Sequence, residues 1–256
     1  MTWWELWSDF LQFAREYRTS VEITPLWFLR IASAVIADIQ HVSRVIREEQ
    51  DFTWDSARGG YPLTQWVWTI LRATLVGNPT PTTTQSYPVL IVSPEQAQEI
   101  RFERRTGRYD TPRQWWYRFG YPGDPTDKPA PPRSGYVVPG NPPVLRVEPA
   151  PESWATIARL YYIVRYIPVT QQDPYWSGAF TDTENWMRSN TIPGALREHV
   201  SVITAGVMTH YALQNANVGA AQLFRQLYVE GRDLIMRLRP PDIHELVSPY
   251  AVSPFD

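Results

Sequence analysis

Apolar residues recur at helical spacing at both ends of this chain and lose that spacing in the middle. A fold must therefore combine a helical part with a separate β part. Near the start, Trp3, Leu6 or Trp7, Phe10, Phe13 and Tyr17 form one stripe of a short helix over residues 3–17. Thr24 then offers an N-cap and Pro25 a first helical position. Leu29, Ala32, Ile36, Ile39 and Ile46 line one stripe of this second helix, and Ile31, Val35, Val42 and Val45 an adjacent one. The apolar face is broad, and the helix is expected to close at Arg47–Gln50, near Asp51. At the other end, Pro193 opens a helix running to about Asn215, with Leu196, Val200, Ile203, Val207 and Tyr211 on one side. A second helix follows from Val218, with Ala221, Phe224, Leu227, Gly231, Leu234 and Leu238 as its stripe. The short link Asn215-Ala216-Asn217 makes the pair an antiparallel hairpin, ended by Arg239-Pro240-Pro241.

Between 52 and 168 the runs are β-branched or aromatic and bounded by Gly, Pro or Asn. Strands are expected at 52–54, 66–70, 87–92, 115–117, 144–147 and 155–167, with a short helix at 94–100 capped by Ser93. Ten prolines fall within 121–151, so 121–143 reads as a long, partly extended surface loop. The expected fold is α+β: a helical bundle of N-terminal helices and a C-terminal antiparallel hairpin, carrying an inserted antiparallel β region and the long Pro-rich loop. The divisions are 1–51 for the first bundle helices, 52–168 for the insertion, 169–239 for the hairpin and 240–256 for an extended tail.

Composition narrows the function classes. Of 256 residues, 24 are Lys or Arg and 26 are Asp or Glu, giving a net charge of −2 and arguing against a protein that coats nucleic acid. Cysteine is absent, which excludes disulfide scaffolds, thiolate zinc sites, iron–sulfur clusters and thiol nucleophiles. The one lysine, Lys128, lies in the Pro-rich loop, and no P-loop pattern surrounds it. Neither a dinucleotide-binding fingerprint nor a nucleophile elbow occurs. Glu5 and Asp9 stand where a signal peptide would be basic and then apolar, and no apolar run reaches the length of a membrane span, so neither is expected.

The remaining motifs each have an ordinary reading beside a functional one. His199 and His210 are three helical turns apart, about 16 Å, too far to share a metal. Glu48-Glu49-Asp51 and Asp182/Glu184 are candidate acid–base pairs for glycoside chemistry, and equally solvated termini. Trp3-Trp4 and Trp115-Trp116, among 12 tryptophans, suit stacking platforms for sugar or single-stranded nucleic acid, or core and interface packing. Arg101, Arg104, Arg105 and Arg108 form the only local basic run, a solvated loop or a contact for an acidic partner surface or for DNA phosphates.

Several segments in order resemble one family. Tyr87–Gln96 resembles its strand followed by a short Pro-Glu helix, and Thr106–Tyr117 the Thr-Gly and Pro-aromatic stretch after it. Val144–Pro151 resembles the next strand with its Pro-Ala-Pro end, and Leu160–Pro168 the strand that follows. Asn185-Trp186-Met187 and Ile192-Pro193 then lead into a two-helix end with small residues at Ala205-Gly206 and Ala220-Ala221. This collinear order is similar to the head–tail adaptor proteins of tailed bacteriophages, also called head-completion or connector proteins. It covers about residues 25–238 and omits the Trp-rich first helix, the 121–143 loop and the tail.

The resemblance implies a structural virion protein at the head–tail interface, made in the host cytoplasm. It implies a homo-oligomeric, twelvefold ring under the portal protein, with a tail, tail-tube or nozzle protein below. Genomic DNA would pass through the channel without sequence-specific binding. It implies no enzyme activity, cofactor, metal or membrane contact. Within that expectation Pro240, Pro241, Ile243, Leu246, Tyr250 and Phe255 are the candidate portal contacts. Trp115, Trp116, Arg101, Arg104, Arg105 and Arg108 are the candidate tail-side contacts, and Ile31, Val35, Val42 and Val45 the candidate ring interface. The alternative is a carbohydrate-binding or carbohydrate-active protein that uses tryptophan platforms.

Overall fold

A computed structural model describes residues 1–16, 23–80, 83–96, 133–148, 155–168 and 182–238. The chain divides into two compact units: 1–47 with 163–256, and 48–162.

The first unit is helical. α1 (Trp3–Glu16) opens with a capping box: Thr2 Oγ1 accepts from the Glu5 amide at 3.1 Å, and Glu5 Oε2 accepts from the Thr2 amide at 2.6 Å. Its stripe Trp3, Leu6, Trp7 and Phe10 is buried, whereas Phe13 is exposed. α2 (Pro25–Ser43) starts at its expected cap, with Thr24 Oγ1 accepting from the Trp27 amide at 3.2 Å. It ends earlier than expected, because Arg44 turns left-handed with φ 53° and donates its amide to Gln40 O. Trp7, Phe10, Trp27, Phe28 and Tyr211 form an aromatic cluster with ring centroids 5.1–6.4 Å apart. α3 (Thr183–Ser189) is capped by Asp182, and its Trp186 lies 6.2 Å from Trp3. A 3₁₀ helix (Gly194–His199) leads into α4 (Val200–Gln214). Of the stripe expected there, Leu196, Ile203, Val207 and Tyr211 are buried. Asn217 Oδ1 caps α5 (Val218–Leu238), accepting from the Ala220 amide at 3.1 Å.

Inside this unit the Gln40 side chain, 1 % exposed, holds two distant backbone segments together. Its Oε1 accepts from the Ile46 amide at 2.8 Å, and its Nε2 donates to Ile46 O at 3.0 Å and to Val164 O at 2.6 Å. The Val164 amide donates to Ile46 O at 3.0 Å.

The second unit is a β structure with its own core, and here the expected fold class is corrected. Instead of an antiparallel insertion on a helical bundle, seven strands form a mixed sheet curled into a nearly closed barrel. The strands are β1 (Arg47–Thr53), β2 (Tyr61–Pro62), β3 (Val67–Thr80), β4 (Thr83–Ile91), β5 (Arg133–Val138), β6 (Val144–Glu148) and β7 (Ile157–Val164), in the order β1-β7-β3-β4-β5-β6-β2. β3–β4, β5–β6 and β6–β2 are antiparallel, with Ala73 opposite Val89, Val137 opposite Leu145 and Tyr61 opposite Leu145. β4 and β5 are parallel, with Val89 opposite Arg133, so the sheet is mixed. The two end strands approach at the Asp55–Gly60 bridge, where both amides find the opposite carbonyl at 2.8 and 3.3 Å. Tyr61, Leu63, Ile70, Leu75, Leu145, Leu160 and Tyr162 are buried in this unit.

Three local expectations change with it. β5 lies inside the stretch taken as the 121–143 loop; Arg133–Val138 contains no proline and pairs on both sides. Pro139, Pro142 and Pro143 follow it in the link to β6, which includes a cis Asn141–Pro142 bond. The expected strand 66–70 extends to Thr80 and forms a hairpin with β4. β1 begins at Arg47, where the helix was expected to continue, and only Phe52 of it is buried. Ser93 caps a helical turn at Pro94–Gln96, exchanging hydrogen bonds with Gln96 at 3.0 and 3.2 Å. The expected strand 115–117 lies outside the described residues.

Candidate functional site

The surface that stands out is on α5. One side of the helix is committed to the subunit. A β-carbon at Gly206 of α4 would meet Val35 Cγ1 at 2.7 Å and Tyr228 Cδ2 at 3.1 Å, and one at Gly231 would meet Val202 Cγ2 at 2.5 Å. The two glycines thus let α2, α4 and α5 approach closely. Ala221 and Ile235 are buried on the same side. Tyr228 donates its hydroxyl to Asp38 Oδ2, which also accepts from Arg232 Nη1 at 3.0 Å. Burial first, and the Asp38 carboxylate second, push the Tyr228 hydroxyl well above the usual phenol range.

Of the stripe read from the sequence, Ala221 is buried, Phe224 is half-buried and Gly231 packs against Val202, but Leu227, Leu234 and Leu238 are 49, 53 and 64 % exposed, as is the neighbouring Leu223 at 52 %. Val218, Val229 and Met236 are 60, 36 and 38 % exposed. At ~100° per residue, Ala221, Tyr228 and Ile235 mark the inward direction. The four leucines lie about 100° to one side of it, and Val218, Val229 and Met236 about 100° to the other. α5 therefore carries two apolar flanks separated by its inward face and by an outer polar face. Charges border both flanks: Glu230 stands at the outer edge of the leucines, Asp233 at the outer edge of the Val/Met flank, and Arg225 and Arg232 at its inner edge. Glu230 accepts from Gln226 Nε2 at 2.8 Å. Arg225 makes no ion pair among the described residues.

The residues expected at a ring interface are placed differently. Val35 is buried against Gly206, which leaves it no surface for a neighbour. Val45 lies beyond the end of α2 and is half-buried with Ile31 and Val42. The candidate portal contacts Pro240, Pro241, Ile243, Leu246, Tyr250 and Phe255 lie outside the described residues. So do Trp115, Trp116, Arg101, Arg104, Arg105 and Arg108.

Four of the five carboxylates weighed as acid–base pairs have structural partners. Glu49 pairs with Arg72 at 3.4 Å, and Asp51 with Arg159 at 2.8 Å, a hydrogen bond that holds the Asp51 carboxyl below its usual range. Glu48 accepts from the Tyr162 hydroxyl at 3.2 Å, and Asp182 caps α3. Among the described residues no three His, Asp or Glu side chains gather as a metal site. Of the described tryptophans only Trp68 is exposed, and Trp4 lies beneath the Arg188 guanidinium at 3.8 Å. No helix among the described residues is long and apolar enough to cross a membrane.

No protein-family model matches the chain, and no curated protein matches it.

Proposed function

We propose that this chain is a structural virion protein, the head–tail adaptor that forms a ring beneath the portal of a tailed bacteriophage. One observation carries the reading: α5 exposes seven large apolar side chains on two flanks, a surface suited to protein partners rather than to water. The order of segments that resembles the adaptor family adds support. β4 runs into the Ser93-capped turn, β6 and β7 follow, and the helical pair α4–α5 ends the described chain.

In this reading the protein is a homo-oligomer that joins capsid to tail. Residues 240–256 reach the portal protein, and Trp115, Trp116 and the arginines of 101–108 meet a tail protein. Genomic DNA passes through the ring, and the slightly acidic balance of −2 keeps the wall from holding it. The subunit is made in the host cytoplasm and does no chemistry.

The test is the mass and symmetry of the complex formed with the portal protein of the same genome, by native mass spectrometry or electron-microscopy class averages. A ring bound in register with the portal is expected. A folded chain that stays monomeric and does not bind the portal would overturn the reading. Reversing Arg104 and Arg105 to Glu is expected to impair joining of the tail while leaving the ring intact.

A further inference from the structure

We propose that the folded β unit is a clasp for the helical unit. By holding its own two ends side by side it closes the chain of the helical unit, and its unfolding opens that chain. The proposal stands apart from the ring reading above.

Chain order comes first. The helical unit is built from two separate stretches, 1–47 and 163–256, and the whole segment between them, 48–162, belongs to the β unit. Helices from both stretches make one core. Phe10 of α1 and Phe28 of α2 share the aromatic cluster with Tyr211 of α4, and Val35 of α2 packs on Gly206 of α4. That core can form only if the two stretches meet across the intervening segment.

The β1–β7 pairing brings the ends of that segment together. β1 and β7 are hydrogen-bonded neighbours. Ile46 O accepts from the Val164 amide at 3.0 Å, and Thr156 O accepts from the Trp54 amide at 2.8 Å. Between these two bonds β1 advances eight residues while β7 retreats eight, so the ribbon is antiparallel and its register does not slip. Side chains agree: Asp51 faces Arg159 at 2.8 Å, and Glu48 faces Tyr162 at 3.2 Å. Glu48 and Tyr162, the first and last residues of the β unit, are thus opposite each other within it. Arg47 and Ile163 are likewise opposite within the helical unit. There the Gln40 side chain ties Ile46 to Val164 a second time.

Chain entropy gives the consequence. Closing a flexible loop of n residues carries an entropy cost of about (3/2)R ln n. With the β unit folded, its ends are already paired. With it unfolded, the helical unit must close a loop of about 115 residues, which lowers its folding equilibrium about 10³-fold. Residual compactness of the unfolded segment brings the factor down toward about 10². The coupling is reciprocal, so a folded helical unit favours the β unit by the same factor. Whatever stabilises one unit thereby protects the other.

Leu75→Asp and Leu145→Asp, made together in the full chain, open the clasp. Both leucines are fully buried, in β3 and β6, and two unpaired buried carboxylates exceed what the stability of a domain can hold. Loss of amide protection across β3 and β4 verifies that the barrel has unfolded. The slowest-exchanging amides of α4 then report on the helical unit. They are expected to exchange about 10²- to 10³-fold faster than in the unchanged chain. Equal exchange in the two would overturn the proposal.

A cross-link separates chain closure from lost packing. Arg47 and Ile163 lie between hydrogen-bonded pairs, which sets their Cα atoms about 4.5 Å apart, within reach of a disulfide. Because the chain has no cysteine, Arg47→Cys with Ile163→Cys forms one defined bond. In the barrel-opened variant its oxidation is expected to slow α4 exchange by about the same 10²- to 10³-fold, since the disulfide closes the loop in place of the β unit. With the barrel folded, oxidation should slow exchange far less, because the ends are already held. If opening the barrel unfolds the helical unit completely, oxidation is expected to refold it. A loss that oxidation does not reverse would also overturn the proposal, because the helical unit would then have lost packing rather than closure.

Discussion

Replacing Gln40 by Leu should destabilise the helical unit more than any surface change. The residue is 1 % exposed and fills three hydrogen-bonding roles at once. Leucine preserves the approximate volume and removes all three. Ile46 O keeps the Val164 amide at 3.0 Å, so two groups are orphaned: the Ile46 amide and Val164 O. Both residues are buried, at 6 and 8 % exposure, so water does not readily replace the amide. At about 1–3 kcal/mol per unsatisfied buried group, the loss is about 2–6 kcal/mol. That is a large share of the ~5–15 kcal/mol that holds a domain folded.

Urea unfolding would read the loss, and amide exchange at Ile46 would localise it. Gln40→Glu is the companion variant. A carboxylate there faces two carbonyl oxygens, so its folded pKa must rise above the ordinary ~4.3. Its stability is therefore greatest below that value and declines as pH rises through the folded pKa. Wild-type unfolding midpoints and unchanged exchange at Ile46 in Gln40→Leu would refute the reasoning, because they would mean that neither orphaned group depends on this amide.

Gly206→Ala gains up to ~1 kcal/mol of helix propensity but forces its methyl to 2.7 Å from Val35. With overpacking at about 1–3 kcal/mol, a net fall in the thermal midpoint is expected by calorimetry. Tyr228 has a raised folded pKa, so its contribution is full below pH ~10 and is lost as pH rises beyond it. Tyr228→Phe should remove that part of the alkaline loss, while the enclosed Tyr166 hydroxyl, shifted upward by burial, retains its own. Asp51 has a lowered folded pKa, so the pair with Arg159 stabilises above pH ~4 and fails as pH falls. Arg159→Gln should flatten that acid limb, and its effect at neutral pH should shrink in high salt.

The legible parts of the fold are those set by neighbours in sequence. Thr24 and Pro25 mark the start of α2 because an N-cap acts within three residues. Asn215-Ala216-Asn217 marks the α4–α5 turn for the same reason. The barrel was not legible, because closure depends on pairings that periodicity does not carry. The parallel pairing of β4 and β5 joins segments separated by more than forty residues of sequence. β1 was hidden differently: Arg47, Glu48, Glu49, Gln50 and Asp51 read as the polar end of a helix, and its strand character comes from partners such as Tyr162 and Arg159. β5 was hidden by the prolines that flank it.

The same limit hid the exposed flanks of α5. Apolar residues occupy both flanks of α5, so the sequence alone offers several stripes and does not say which faces inward. The inward direction is set by Gly206 and Gly231, which allow Tyr228 and Val202 to pack at close range. Once those contacts fix the rotation of α5, Leu227 and Leu234 must point to one side and Val229 and Met236 to the other. Turning the helix to bury the leucines would pull Tyr228 and Arg232 from Asp38 and bring other side chains against Val35 and Val202. Internal packing and the exposed flanks are thus two consequences of one rotation, and substitutions that loosen the glycine contacts should disturb association even though they touch neither flank.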